Sequence, residues 1–336
     1  MPNAKPPGLV AIEREMARQG KDALASFSDV AKRAGAVAAS IRQTGRLLLL
    51  GMGASHGLNR AVAPLFRAHG VDALALPLSE QLDQPLACNG RTVIVTSQSG
   101  ESIEVVRWLA LAHPGTDVFG LTMDAGSTLA RSLPCMIGAG GVETGFAATR
   151  SAFVGVAIYA AVLSALGTDP APFLRVLRAP TEPDIADAVA ALAGVRTIVT
   201  SARRLQGLAE VLALGLTELA RLPCFALEGG QFRHGPMEML GPDVGTVFLR
   251  GADVTGDRVR GLAETVAVTG APTVVLDASG RAPATGAVTV VAGQHEGIAA
   301  LAALLPVAQR LMIGCAIMRV ADLGTPVRTQ KITRTE

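Results

Sequence analysis

Aromatic side chains are scarce: of 336 residues, one is Trp, one is Tyr and nine are Phe. With hydrophobic residues at 49%, the core must be built from Ala, Val and Leu, the composition of parallel sheets whose strands are buried on both faces. A net charge of only +2, with no basic patch carrying interleaved aromatics, argues against nucleic acid as a partner. Cysteine is sparse too. Cys88, Cys135, Cys224 and Cys315 lie far apart and form no C-x-x-C pair, which speaks against a disulfide framework and a cysteine metal site and fits buried free thiols in a reducing compartment. The first residues lack the basic, apolar, small-residue order of a signal peptide, so the expected localisation is cytoplasmic. Lysine is the rarest cation, at Lys5, Lys21, Lys32 and Lys331 alone. Arginine, which supplies the remaining positive charge, cannot form a Schiff base, whereas lysine can. Lys331 in the polar C-terminal tail is therefore either an amine with a chemical task or an ordinary solvated lysine. One uncharged run, Ser151–Thr168, approaches membrane-spanning length. Its Gly155, Ser164 and Gly167 and its close polar flanks favour a buried core helix, with no membrane as partner.

The segment Thr92–Ala110 organises what is present. Thr92–Val95 predicts a short buried strand, Thr96–Ser99 with Gly100 a hydroxyl-rich turn, and Ile103, Val106 and Leu109 a helix by their spacing. Free N–H groups and the positive end of the helix dipole then gather beside Ser97, Ser99 and Ser102, which suits a phosphate. An ordinary Ser-capped helix uses the same residues. The turn Gly51–Gly57 reads GxGxxxG, and no acidic residue stands where a dinucleotide site needs one; Asp72 precedes the next strand and Glu80 follows it. A turn that sets Ser55 beside Ser97–Ser102 at the carboxyl edge of the sheet fits better. No cofactor and no metal is expected.

Strands alternate with helices along the chain, which predicts doubly wound parallel sheets. The strand-like segments beginning at Gly45, Thr92 and Val118 recur at Gly194, Gly245 and Thr273, offsets of 149, 153 and 155 residues. That near-constant spacing indicates two copies of one α/β unit. Residues 1–24 read as a loose arm and helix, 25–168 as the first domain, 169–184 as a proline-bearing linker, 185–320 as the second domain and 321–336 as a tail. The copies differ. Ser201-Ala-Arg-Arg-Leu replaces the first glycine turn, and Arg250-Gly-Ala-Asp-Val stands where the serines were, so one half is equipped for an anion and the other is structural.

The second half carries acid–base candidates. Glu218 lies in the mostly apolar helical run Val211–Leu222, where partial desolvation would raise its pKa towards a useful general base. His234 precedes Gly235-Pro236, a stop that places its imidazole in a loop. A solvated helix face and a capping histidine are the plainer readings of the two. Glu228 and Glu238 are competing acids nearby.

Ser97-Gln-Ser-Gly-Glu-Ser102, Arg233-His-Gly-Pro236 and the ending Lys331–Glu336, a Lys-x-x-x-x-Glu, occur in this order. Together they resemble the sugar isomerase (SIS) domain proteins, most closely the two-domain isomerase part of glucosamine-6-phosphate synthase and free-standing sugar-phosphate deaminases and isomerases. The resemblance implies two tandem SIS-type, flavodoxin-like α/β/α sandwich domains. It implies that Ser55, Ser97, Gln98, Ser99 and Ser102 hold a sugar phosphate. It further implies that Glu218 moves a proton between C1 and C2, that His234 opens the sugar ring from across a homodimer with a shared active site, and that Lys331, on a tail reaching that site, forms an imine with a ketose. Three positions on the first half depart from the family pattern Gly-Val-Ala-Ser-Thr-Lys, which here reads Gly145-Phe-Ala-Ala-Thr-Arg150, with Ala148 for the serine. The family lysine three residues before the glutamate is Gly215, and the tail reads Thr325-Pro-Val-Arg-Thr-Gln-Lys331. A glutaminase domain is not seen, so the expected reaction is deamination of glucosamine 6-phosphate to fructose 6-phosphate and ammonia. A fructosamine-6-phosphate deglycase, an aldose–ketose isomerase and a non-catalytic sugar-phosphate sensor are the alternatives.

Overall fold

The leucine and β-branched runs of the sequence become parallel strands, the central ones buried along their length. The computed structural model describes residues 5–111 and 117–335, and among these the chain forms two units. One takes residues 8–177 with the tail from 325, the other residues 178–324 with 5–7.

In the unit holding the N-terminal half, β1 (Arg46–Gly51), β2 (Asp72–Pro77), β3 (Thr92–Thr96), β4 (Val118–Thr122) and β5 (Cys135–Ile137) form one sheet in the order β2-β1-β3-β4-β5. Every pairing in it is parallel. Helices Ala31–Thr44, Gly53–Ala68 and Arg150–Leu166 cover one face, and the shorter Leu78–Asp83, Ile103–Leu111 and Thr128–Ser132 cover the other. Alternation along β3 serves both faces. Val93 and Val95 enter a core with Leu48, Leu50, Val105 and Trp108, while the Thr96 hydroxyl meets Asn59 Oδ1 at 3.0 Å and the Tyr159 hydroxyl at 2.7 Å on the opposite face.

The second unit repeats this plan. Its strands β6 (Thr197–Ala202), β7 (Cys224–Glu228), β8 (Val244–Gly251), β9 (Thr273–Ala278) and β10 (Val288–Val291) pair in the order β10-β9-β8-β6-β7, again all parallel. Read from the matching edge this is the same strand order, and each strand lies 151 to 155 residues beyond its counterpart. The doubly wound, flavodoxin-like architecture and the internal repeat stand as expected.

Several local expectations are corrected. The first helix starts at Pro7, within residues 1–8 that read as the loose arm, and runs unbroken to Asp29; proline suits a helix's first turn because its missing N–H has no intrahelical partner there. Gly51–Gly57 is not one long turn: Met52 is extended and a helix begins at Gly53, placing Ser55 in its first turn. The expected linker holds a helix, Ala171–Arg178, that buries Phe173, Val176 and Leu177. Arg250 and Gly251 close β8 and form no turn. The strands β7 and β10 were not foreseen.

The uncharged run is a core helix, Arg150–Leu166, with 14 of its 17 residues buried. Another helix, Gly297–Ile317, is long and apolar enough to cross a membrane by length and composition, yet 78% of its most apolar window is buried. It packs on helix Gln206–Ala220 and on β8 and β9. The four cysteines are free, with Cys315 buried and the others half-buried. Burial pushes the thiols of Cys224 and Cys315 up to about 11 and that of Cys135 to about 12, which makes them inert.

Candidate functional site

In a 2-1-3-4-5 sheet the crossovers from strands 1 and 3 leave on opposite faces, and the crevice beyond their carboxyl ends is where ligands bind. Gly51 at the end of β1 pairs in register with Thr96 at the end of β3. Ser55 follows the first and Ser97–Ser102 the second. Ser97 and Ser99 are buried, and their hydroxyl oxygens accept from the N–H groups of Gly100 (3.1 Å) and Glu101 (3.2 Å). Each hydroxyl hydrogen remains available to a ligand. Gln98 is fixed through its backbone, whose carbonyl accepts from Met123 N and the Thr122 hydroxyl. Its side-chain Nε2 is buried without a hydrogen-bond partner in the protein, an uncommon state for an amide donor. Gly100 sits at φ +64°, and a Cβ there would overlap Ser127 Oγ. Gly100→Ala is therefore expected to misplace the turn and weaken sugar-phosphate binding at least about tenfold, equivalent to ~1.4 kcal/mol, as titration calorimetry would read.

In the second unit the end of β8, the counterpart of β3, carries an arginine. Arg250, fully buried at the end of β8, donates to Asp277 Oδ2 (2.9 Å), Gly256 O (3.0 Å) and Ala282 O (2.7 Å). Arg281 and Asp257 extend the network as a second pair at 3.0 Å. Its charges are paired internally.

Glu218 lies in the last turn of helix Gln206–Ala220 and is half-buried. Three residues before it, a Cβ on Gly215 would overlap Met312 Sδ of helix Gly297–Ile317, so the lysine that the resemblance carries there would require the Met312 side chain to move. His234 is exposed in the turn after Gly229–Phe232; its N–H donates to Gln231 O (3.0 Å), and Gly235 at φ +107° leads into a 3-10 turn opened by Pro236. Of the competing acids, Glu238 is exposed. Glu228 ends β7 and caps the following turn, accepting from Gly230 N (2.7 Å) and Gln231 N (3.1 Å), while Arg203 pairs with it at 2.7 Å. Partial burial pushes this carboxyl up, but the Arg203 guanidinium and the two N–H groups outweigh it and hold it below its ordinary value. It is a fixed anion and a cap, poorly suited to act as a base.

Lys331 is grouped with the serine turn's unit. Its Nζ lies 3.2 Å from Glu143 Oε2, 3.1 Å from Phe146 O and 3.5 Å from Ala147 O. Two residues on, Thr333 O accepts from the N–H of Ile103, the first residue of the helix that follows the serine turn. Glu336 of the tail motif lies outside the described residues. The structure thus brings Ser55, Ser97, Gln98, Ser99, Ser102 and Lys331 into one unit, and Glu218 and His234 into the other. Glu143, buried in the aperiodic stretch between β5 and helix Arg150–Leu166, escaped the sequence reading, as did Arg150 as a hub. Arg150 closes the Gly145–Arg150 motif and Glu143 stands two residues before it, the one hint at either. Among the described residues no group of three or more His, Cys, Asp and Glu could hold a metal ion.

No family model matches the chain. A curated relative, the glutamine–fructose-6-phosphate aminotransferase (isomerizing) of Pyrobaculum aerophilum, is 30% identical over 184 residues, which is 49% of this chain. The match spans only 30% of that relative's length. Among solved structures, the C-terminal domain of glucosamine-fructose-6-phosphate aminotransferase from Francisella tularensis superposes with a TM-score of 0.82 at 18% identity, covering 94% of this chain and 98% of that one. Tagatose-6-phosphate ketose/aldose isomerase from Escherichia coli gives 0.75 at 16% identity, covering 95% and 96%. Glucosamine-6-phosphate deaminase from Thermotoga maritima gives 0.69 at 16%, covering 93% and 99%. The likeness to these structures is one of fold. It agrees with the resemblance to the sugar isomerase proteins that the three motifs carry.

Proposed function

We propose that this chain is a cytoplasmic, sugar-isomerase-type enzyme acting on a phosphorylated amino sugar, converting glucosamine 6-phosphate and water to fructose 6-phosphate and ammonia. The observation that carries the reading is the serine turn at the β1/β3 switch point, with its buried, unpartnered Gln98 amide. Hydroxyls, a helix N-terminus and a free amide donor make an anion site. The phosphorylated sugars in the names of the relative and of the solved structures supply the class of anion.

In this reading Ser55, Ser97, Gln98, Ser99 and Ser102 hold the phosphate. His234 assists ring opening; its exposed position supports a role in a partner's site, within a homodimer that shares its active sites. Glu218 takes the proton from C2 of the open aldehyde form and delivers it to C1, leaving an imine at C2. Water adds to that carbon and ammonia departs. Lys331 either carries the ketose as an imine or balances the negative charge that develops on the enediol or enolamine. Purified protein given glucosamine 6-phosphate should release fructose 6-phosphate and ammonia in equal amounts in coupled assays. Absence of both ammonia and isomerisation across a panel of sugar phosphates defeats the enzyme reading. Release of a larger amine marks a deglycase, isomerisation without ammonia marks an aldose–ketose isomerase, and binding without turnover that Glu218→Gln leaves unaltered marks a sensor.

A further inference from the structure

Glu143 is 1% exposed and sits at the centre of a cage of donors. Its Oε1 accepts from Thr149 N (2.9 Å), the Thr149 hydroxyl (2.8 Å) and Arg150 N (2.8 Å), and its Oε2 from the Ser151 hydroxyl and Lys331 Nζ. The Arg150 guanidinium turns elsewhere, to Glu15 and Asp22. The positive charge that the buried carboxylate needs therefore comes from Lys331, across 188 residues of sequence. Lys331 in turn faces three acceptors: this carboxylate and the carbonyls of Phe146 and Ala147. A neutral amine has two N–H donors and an ammonium three, so the arrangement is that of an ammonium. Attack on a ketone needs the neutral amine's lone pair, which this arrangement withholds. The Ile103–Thr333 hydrogen bond ties the same tail to the helix that opens on the serine turn.

We infer that Glu143 is a positioning residue: it holds Lys331 as a fixed ammonium, and with it the tail on the serine-bearing unit, so that this lysine serves the reaction as a charge and not as an imine-forming amine. The catalytic half of this statement rests on the functional reading above; the charge and placement of Lys331 do not. Reductive methylation with formaldehyde and borohydride, followed by peptide mass spectrometry, reads the amine directly against the exposed Lys21 and Lys32 of the same molecule. In the native protein Lys331 should react at least about tenfold more slowly than those two, and in Glu143→Gln it should approach their rate as the counter-charge is lost. Cleavage at Arg328 and Arg334 by an arginine-specific protease should accelerate in the same variant. Equal methylation of the three lysines in the native protein, or an unchanged Lys331 rate in Glu143→Gln, overturns the inference.

Should Glu143→Gln fail to fold, Lys331→Arg and Lys331→Met decide the matter. Arginine keeps the charge and cannot form an imine, so it should retain about a tenth of the turnover or more, whereas methionine should leave about a hundredth or less. Two equally inactive variants, or a borohydride-reduced fructose 6-phosphate adduct on Lys331 of the native protein, also overturn it. Native protein that turns over no sugar phosphate but shows the protected Lys331 sinks the functional reading alone.

Discussion

Glu218→Gln is expected to lower kcat by about 10²–10⁴-fold, the usual contribution of a positioned general base, with KM changed only several-fold. The substitution keeps the shape of the side chain and one acceptor oxygen while removing the basicity that, in the proposed reaction, moves a proton between adjacent carbons. Glu218 occupies the last helical turn, half-buried, on a helix that packs against Gly297–Ile317. Glutamine fills nearly the same volume, so the substitution opens no core cavity. Glu228→Gln makes the decisive comparison. That carboxylate already satisfies two N–H groups and Arg203, so its loss should appear mainly as reduced stability of the turn that leads to His234. If Glu228→Gln abolishes turnover while Glu218→Gln does not, the roles of the two acids are reversed. Single-turnover measurement with C2-deuterated glucosamine 6-phosphate locates the defect: proton abstraction, and not product release, should become slow in Glu218→Gln.

Which parts of this protein could be read from its sequence follows from the range of the interactions involved. Strands β1, β3, β4 and β9 could be read because each is a run of apolar or β-branched residues buried on both faces. The edge strand β7 could not: Cys224–Glu228 is partly exposed along its length, so no apolar run marks it. Arg250 looked like part of a turn because arginine is normally solvated, and only the structure supplies the buried Asp277 that lets it end a strand. The serine turn was legible since strand, turn and helix are contiguous. The pairing of Lys331 with Glu143 was not, because a buried ion pair between segments this distant leaves no local period or spacing.

Arg150→Met should destabilise the serine-bearing unit by about 3–5 kcal/mol, the cost of stripping one partner from a buried ionic network. Arg150 is fully buried; its Nε donates to Glu15 Oε2 at 2.6 Å, Nη1 to Asp22 Oδ2 at 3.4 Å and Ala139 O at 3.0 Å, and Nη2 to Gly141 O at 2.6 Å. One guanidinium thus fastens the first helix to the loop that follows β5, and a point charge cannot make that fork. Arg150→Lys should therefore recover only part of the loss, although lysine is the residue the resembling motif carries at this position. The same network sets an acid limit. Burial pushes the Glu15 carboxyl up, but hydrogen bonds from Thr144 and Arg150 together with the Arg150 charge outweigh it, leaving its pKa below the ordinary 4.5. A folded-state pKa below the unfolded one gives stability that is complete above the unfolded value and lost as pH falls through the folded value. Native protein should thus weaken in urea as pH drops below about 4.5, and Arg150→Met should show a shallower acid dependence because Glu15 has lost the guanidinium that held its pKa down. An Arg150→Met protein with native stability and an unaltered acid limb would mean that the first helix and the loop after β5 are held by packing alone, and that the arginine at this position is a passive replacement for lysine.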